Sequence, residues 1–279
     1  MVEILLESGA HLDSRNKQGL MPIHLAVQAG HLEVVQAKNY NLATLTGDNQ
    51  QTVLHLAADN GNLEAVKWLI HPGCINLNLR DRRGRTAEDL ARQEHYKEIA
   101  RHLWSLAKTQ QLKLLEAAGS GKVRQVERLI RQGVEVDCKD HRNNRHGRRP
   151  IHEAALKGHL DVIKNLLLAG AQREAEDNKG NTAMHFAALG GQVAVMTLLK
   201  VNNCVVSPVN NGGETPLHFA AAGNHPDTLK WLLLQGVDKD CKNFSGNTAE
   251  DLASRNGFLV AAEVVHNYGR EQVPVQVLV

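Results

Sequence analysis

The chain has 279 residues, of which 42% are apolar and only 4% aromatic, and its formal net charge is +2. That apolar share suffices for a core, and so few aromatic rings point away from a β-sandwich and toward thin helices packed through Leu and Ala. A nearly neutral balance excludes the global field that draws a protein to nucleic acid or to a membrane surface.

The chain opens on VEILLESGAHLDSRN (2–16), which reads as the second helix and closing turn of a two-helix unit without its first helix. The expectation is a fragment or a degenerate opening unit, frayed on one side. MPIHLAVQAGHLEVV (21–35) starts the next unit, whose second helix, VVQAKNYNLATL, lacks a Leu-Leu pair and a closing Gly-Ala and is expected to be short or distorted. TVLHLAADNGNLEAVKWLI (52–70) follows, with Gln51 at the expected turn-glycine position and hence a looser turn. RTAEDLARQEHYKEIARHL (85–103) is richer in charge. The run 96–121 has no Gly or Pro before Gly119, so it passes onward either as helix, short linker and helix or as one long helix.

RPIHEAALKGHLDVIKNLLLAGA (149–171) comes after an expanded connection, DHRNNRHGRRP, and NTAMHFAALGGQVAVMTLL (181–199) after that. The clearest statement is GETPLHFAAAGNHPDTLKWLLLQG (213–236). There Thr215 is placed to cap a helix, Pro216 takes the first helical position, and Leu217, Ala220 and Ala221 form one apolar stripe. Asn224-His225-Pro226 interrupts, Leu229, Leu232 and Leu233 form a second stripe at helical spacing, and Gly236 supplies a left-handed stop. NTAEDLASRNGFLVAAEVV (247–265) ends the series, and EQVPVQVLV (271–279) is a tail.

His152, His185, His218 and the aligned Asp251 fall at intervals of 33 residues. With this period and a T-P-L-H-x-A core the chain resembles the ankyrin-repeat family over nearly its whole length. The resemblance implies an all-α solenoid of stacked helix-turn-helix units, eight or nine repeats with the first incomplete. The T-A-E-D copies at Thr86–Asp89 and Thr248–Asp251 look like units that close a stack, because a charged outer face tolerates water. Two stacks are therefore expected. The first is 1–107, with repeats near 1–15, 16–47, 48–80 and 81–107. The second is 108–270, with repeats near 108–139, 140–176, 177–209, 210–242 and 243–270, and 271–279 is the tail. Bending is expected near 107–112.

Five of the 15 histidines (His24, His55, His152, His185, His218) sit in the repeat phrase, one per unit. They read as rings buried in the turn of their own repeat and bonded to local backbone, rather than as metal ligands. HEAALKGH (152–159) has the wrong spacing for a zinc helix, GSGKV (119–123) the wrong residues for a phosphate loop, and no nucleophilic triad has a structural context. No enzyme, cofactor or metal is expected. Cys138 and Cys241 stand three repeats apart, too far for a disulfide, and Cys74 and Cys204 add no short spacing. With no signal peptide and no membrane-length apolar run, this points to a reducing compartment, the cytoplasm with the nucleus left open. Trp68 and Trp231 match one another and read as half-buried packing.

Two arginine-rich turns are the sharpest feature. Arg80, Arg82, Arg83 and Arg85 face Asp81, and Lys139, Arg142, Arg145, Arg148 and Arg149 face Asp140. In the family such turns project beside a concave face where partners dock, and a planar guanidinium pairs well with carboxylates. The concave face is expected to include Asp59, Asn60, Leu156, Lys157 and Leu189, and Phe244 is a candidate apolar anchor at a tip. Asn78 alone replaces the Asp or Glu of other copies (Asp13, Asp137, Glu174, Asp240), and the resemblance implies it as a hydroxylation site.

The reading is a monomeric, non-catalytic interaction scaffold for a protein partner, with an acidic partner segment favoured by the arginines. The rival is anion binding, RNA or acidic lipid headgroups, through the same turns; a regulatory fragment of a larger protein is a further alternative. Nucleic acid is disfavoured because the basic turns are separated by acidic stretches and lack interleaved aromatics.

Overall fold

The computed structural model describes residues 14–17, 19–31, 49–70, 75–140 and 147–269. The opening half-repeat, the second helix of the second repeat, Arg142, Arg145 and the tail lie outside these residues. Fourteen helices and no strands are present among the described residues: α1 (Pro22–Ala29), α2 (Val53–Asp59), α3 (Leu63–Ile70), α4 (Ala87–Gln93), α5 (Lys97–Gly119), α6 (Val123–Arg131), α7 (Pro150–Lys157), α8 (Leu160–Leu168), α9 (Ala183–Leu189), α10 (Val193–Val201), α11 (Pro216–Ala222), α12 (Pro226–Leu234), α13 (Ala249–Arg255) and α14 (Leu259–Asn267).

The sequence explains the pairing. First helices bury Ala-Ala pairs (Ala57–Ala58, Ala154–Ala155, Ala187–Ala188, Ala220–Ala221), whose small side chains let neighbouring backbones approach closely. Second helices bury larger residues on one stripe, such as Ala65, Val66 and Leu69 in α3 or Val162, Ile163 and Leu166 in α8. Each such Val, Leu or Ile contributes about 1.5–3 kcal/mol when fully removed from water. Trp68 and Trp231 are half-buried beside these stripes.

The chain divides into two compact units, Met1–Gln111 with Arg128–Glu135, and Leu112–Glu127 with Val136–Val279. In the first, α1 to α4 and the opening turns of α5 enclose one core, with Ile99, Ala100 and Leu103 of α5 packed against Ala87 and Ala91 of α4 and the α2–α3 residues. In the second, Leu114, Leu115, Ala117 and Ala118 at the end of α5 are buried as a repeat's first helix would be. Of the two readings of the run 96–121, the structure shows the single helix: α5 is continuous over 23 residues. No Gly or Pro interrupts it before Gly119, and it buries apolar residues at both ends.

The repeat histidines do more than the sequence suggested. Each ring accepts through Nδ1 from an amide three residues earlier: Met21, Thr52, Arg149, Thr182 and Thr215 donate to His24, His55, His152, His185 and His218 at 2.9–3.2 Å. That assigns the proton to Nε2, which donates forward to a carbonyl 23–30 residues on: Arg85 for His55 (3.1 Å), Ala175 for His152 (2.7 Å), Glu214 for His185 (3.1 Å) and Asn247 for His218 (3.1 Å). The rings of His55, His185 and His218 are thus staples between consecutive repeats as well as local caps, whereas His152 reaches Ala175 at the end of its own repeat. Burial holds the imidazoles of His55, His152, His185 and His218 below their ordinary range, to about 4 for His152 and His185.

One position needs correcting. The residue at the turn-glycine place is Gln50, not Gln51: Gln50 has φ of 50°, matching Gly180 at 77° and Gly213 at 74° two residues before their caps. A non-glycine side chain in this left-handed region is strained.

Candidate functional site

The inter-repeat turns are built by one buried side chain each. Asp81 is 6% exposed. Its amide donates to the Arg85 carbonyl (2.8 Å), and its Oδ1 accepts from the amides of Arg83 and Arg85, both at 2.9 Å. Asp177, Asn210 and Asn243 repeat this, each oxygen accepting from the amides two and four residues on at 2.8–3.0 Å. A glycine three residues after each (Gly84, Gly180, Gly213, Gly246) takes the left-handed turn. The signal was in the sequence as D/N-x-x-G, but Asp81 drew notice only as a counter-charge.

Neighbouring tips are zipped by backbone bonds. Arg82 donates to the Asn49 carbonyl in the first unit; in the second, Asn211 donates to Lys179 and Phe244 to Gly212, all at 3.0 Å. The tips are therefore rigid platforms whose remaining side chains point outward.

The structure separates the predicted arginines. Arg82 and Arg83 are exposed at one tip. Arg85 is turned inward: its Nε and Nη2 donate to Asp81 Oδ2 at 3.0 and 2.8 Å, and its Nη1 to Gln93. Burial pushes the Asp81 carboxyl up, but the amide bonds from Arg85 and Arg83 and the Arg85 guanidinium outweigh this and hold it below the usual range. Arg148 lies 4.5 Å over the Phe186 ring with its Nη1 3.6 Å from Glu153, and Arg149 sits 3.7 Å from Asp137. Both guanidinium groups are thus turned to partners within the chain, and Arg149 Nη1 also donates to the Asp137 carbonyl at 3.2 Å. The base of the expanded turn is closed by Asp140, whose amide donates to Arg148 at 2.7 Å.

Phe244 is 81% exposed at its tip. Asp59 ends α2 half-buried, its carboxyl raised by burial and by Glu94. Asn60 is exposed and spends its amide on Leu56, and Lys157 is exposed at the end of α7, with Leu156 and Leu189 half-buried. Asn78 is exposed and donates to the Gly133 carbonyl at 2.7 Å. Among the described residues no group of His, Cys, Asp or Glu is arranged to hold a metal ion, and no helix is long and apolar enough to cross a membrane.

A scaffold of stacked helix pairs with zipped turn tips and forward histidine staples defines a repeat module. A family model described as "Ankyrin repeats (3 copies)" matches residues 37–112 and 114–208, and models described as "Ankyrin repeats (many copies)" match 201–253 and 1–37. The chain belongs to the ankyrin-repeat family, whose repeats mediate protein–protein interaction. It is similar to a Caenorhabditis elegans transient receptor potential cation channel subfamily A member 1 homolog (34% identical over 102 residues, 36% of this chain and 8% of that one). It is also similar to the Arabidopsis thaliana potassium channel AKT2/3 (32% over 133 residues, 46% and 16%). A third relative is the probable 26S proteasome regulatory subunit p28 of Saccharomyces cerevisiae (29% over 196 residues, 65% and 84%). The chain thus spans only a small part of the two channels it matches.

Proposed function

We propose that this chain is a non-catalytic interaction scaffold that docks a protein partner along its turn tips and the adjoining ends of its first helices, with an acidic partner segment seated on the Arg82–Arg83 tip. The observation that carries this is the contrast within one turn: Arg85 is held by Asp81, while Arg82 and Arg83 are exposed on a backbone fixed by four hydrogen bonds around Asp81. A pre-ordered tip loses little entropy on binding, and the planar guanidinium of an exposed arginine such as Arg83 pairs well with a carboxylate. Phe244 and Lys157 extend the surface in the second unit, Arg142 and Arg145 are proposed to act as Arg82 does, and Asn78 remains a proposed modification site. A cytoplasmic setting, a monomeric state and division into two stacks near 107–108 belong to the same proposal.

The test is affinity capture with the whole chain beside an Arg82→Glu, Arg83→Glu variant, with proteins identified and nucleic acid quantified. Proteins held by the first and lost by the second support the reading. Unchanged protein lists refute docking at this tip, and a capture dominated by nuclease-sensitive material favours the anion-binding rival.

A further inference from the structure

At the opposite end of α4 from the Arg82–Arg83 tip, about 10 Å away along a seven-residue helix, lies a groove of about 380 Å³. It is lined by Arg92, His95, Lys97, Ala100, Arg101 and Trp104. The periodic residues explain none of its character. Lys97, Ala100, Arg101 and Trp104 fall at the i, i+3, i+4, i+7 positions that share one helix face. Arg92 and His95 come from the last turn of α4 and the link that follows it. In that link most other repeats place glycine at the left-handed residue (Gly61, Gly191, Gly257), whereas here it is His95, at φ of 65°. Trp104 is 49% exposed, and it lies outside the repeat's tryptophan position, which His102 fills on this helix.

The charge is one-sided. None of the six lining residues is acidic. Glu88, on the neighbouring turn of α4, pairs with Arg92 at 2.6 Å, yet the Arg92 side chain stays 62% exposed. Glu94 and Glu98 are exposed in the same stretch but do not line the groove. A half-exposed indole beside arginines pairs two of the residue types in which interface binding energy concentrates.

We propose that this groove docks a carboxylate-rich segment of a partner protein that carries an apolar side chain. The carboxylates pair with Arg92, Lys97 and Arg101, and the apolar group lies against the Trp104 indole over Ala100. A single-stranded nucleic acid fits less well, because binding of that kind stacks successive bases on several aromatic rings and this groove holds one. The site is distinct from the turn tip and stands or falls separately from it.

The test is fluorescence anisotropy of a short fluorescein-labelled peptide of alternating Glu and Leu, titrated with the full chain. Binding is expected to weaken as salt rises and to fall about tenfold in Arg101→Glu and in Trp104→Ala. Arg101→Gln, at an exposed helix position, keeps the test open should Trp104→Ala fail to fold. Wild-type affinity in a folded Arg101→Glu or Arg101→Gln variant overturns the proposal. So does a uridine oligomer that binds as tightly and is lost with the same variants, and so does a peptide of Glu alone that binds as well as the Glu–Leu peptide.

Discussion

The buried histidines of the repeat phrase make stability depend on pH. His152 and His185 have folded pKa values of about 4 against 6.5 when unfolded, chiefly through burial. The unfolded chain therefore binds protons first as pH falls below 6.5, and stability is lost between there and about 4. At about pH 5.5 protonation of the unfolded state favours it roughly tenfold per ring, about 1.4 kcal/mol each, so about 3 kcal/mol for the pair. His55 and His218, lowered in the same direction, add to this loss. Carboxylates act lower on the scale: Asp59 and Glu88, raised by burial, oppose the loss as they protonate, whereas Asp81 and Asp89, lowered on balance by hydrogen bonds, add to it. Against a urea slope of about 3 kcal/mol per M, the midpoint followed by circular dichroism is expected to fall by about 1 M between about pH 7 and pH 5.5. His185→Gln, which cannot titrate, should reduce that fall by one ring's share. A midpoint flat across the window, or an unchanged fall in His185→Gln, would refute the assignment of the staples as buried neutral donors.

Asp81→Ala is expected to cost about 3 kcal/mol, since it leaves Arg85 half-buried without its partner and frees two amides. Asp81→Asn should cost nearer 1 kcal/mol, because Asn210 and Asn243 hold the same position with their amide oxygen; equal losses in thermal melts would contradict the role given to that oxygen. Gly213 and Gly257 are both left-handed, but a Cβ on Gly213 would meet the Phe244 ring at 2.6 Å and its amide nitrogen at 2.9 Å, whereas Gly257 faces open space. Gly257→Ala should therefore cost about 1 kcal/mol of backbone strain and Gly213→Ala measurably more, read from urea midpoints. In the docking assay, Phe244→Ser is expected to leave the melting temperature unchanged and to weaken capture of any partner that spans the second unit's tips.

How much of this was legible follows from what a period can and cannot carry. The helices, their caps and the Ala and Leu stripes recur every repeat, so the Thr215–Gly236 phrase located most of the others. The staples were half-legible: histidine spacing showed the local cap, but the Nε2 bond to a carbonyl in the following repeat needed the stacking itself. The turn tie was hidden because Asp81 reads as a counter-charge until its oxygen is seen accepting from two amides. The Trp104 groove was not legible at all, since it is made where α5 departs from the repeat.

The same geometry explains the T-A-E-D copies. Asp89 Oδ2 accepts from the Thr86 amide at 2.9 Å, and Asp251 Oδ2 from Thr248 at 2.8 Å, so aspartate caps its own helix as histidine does. A carboxylate has no proton to give forward, however, so no staple leaves these repeats, and both side chains are exposed. His218→Asp applies this inside the array: the local cap is kept, the Asn247 carbonyl loses its donor, and a charge is buried. The expected loss is about 3 kcal/mol, confined to the second unit. Hydrogen exchange should show it as faster exchange of α13 and α14 amides with α2–α4 unchanged. Uniform acceleration across both units would mean that the staple does not act between neighbouring repeats.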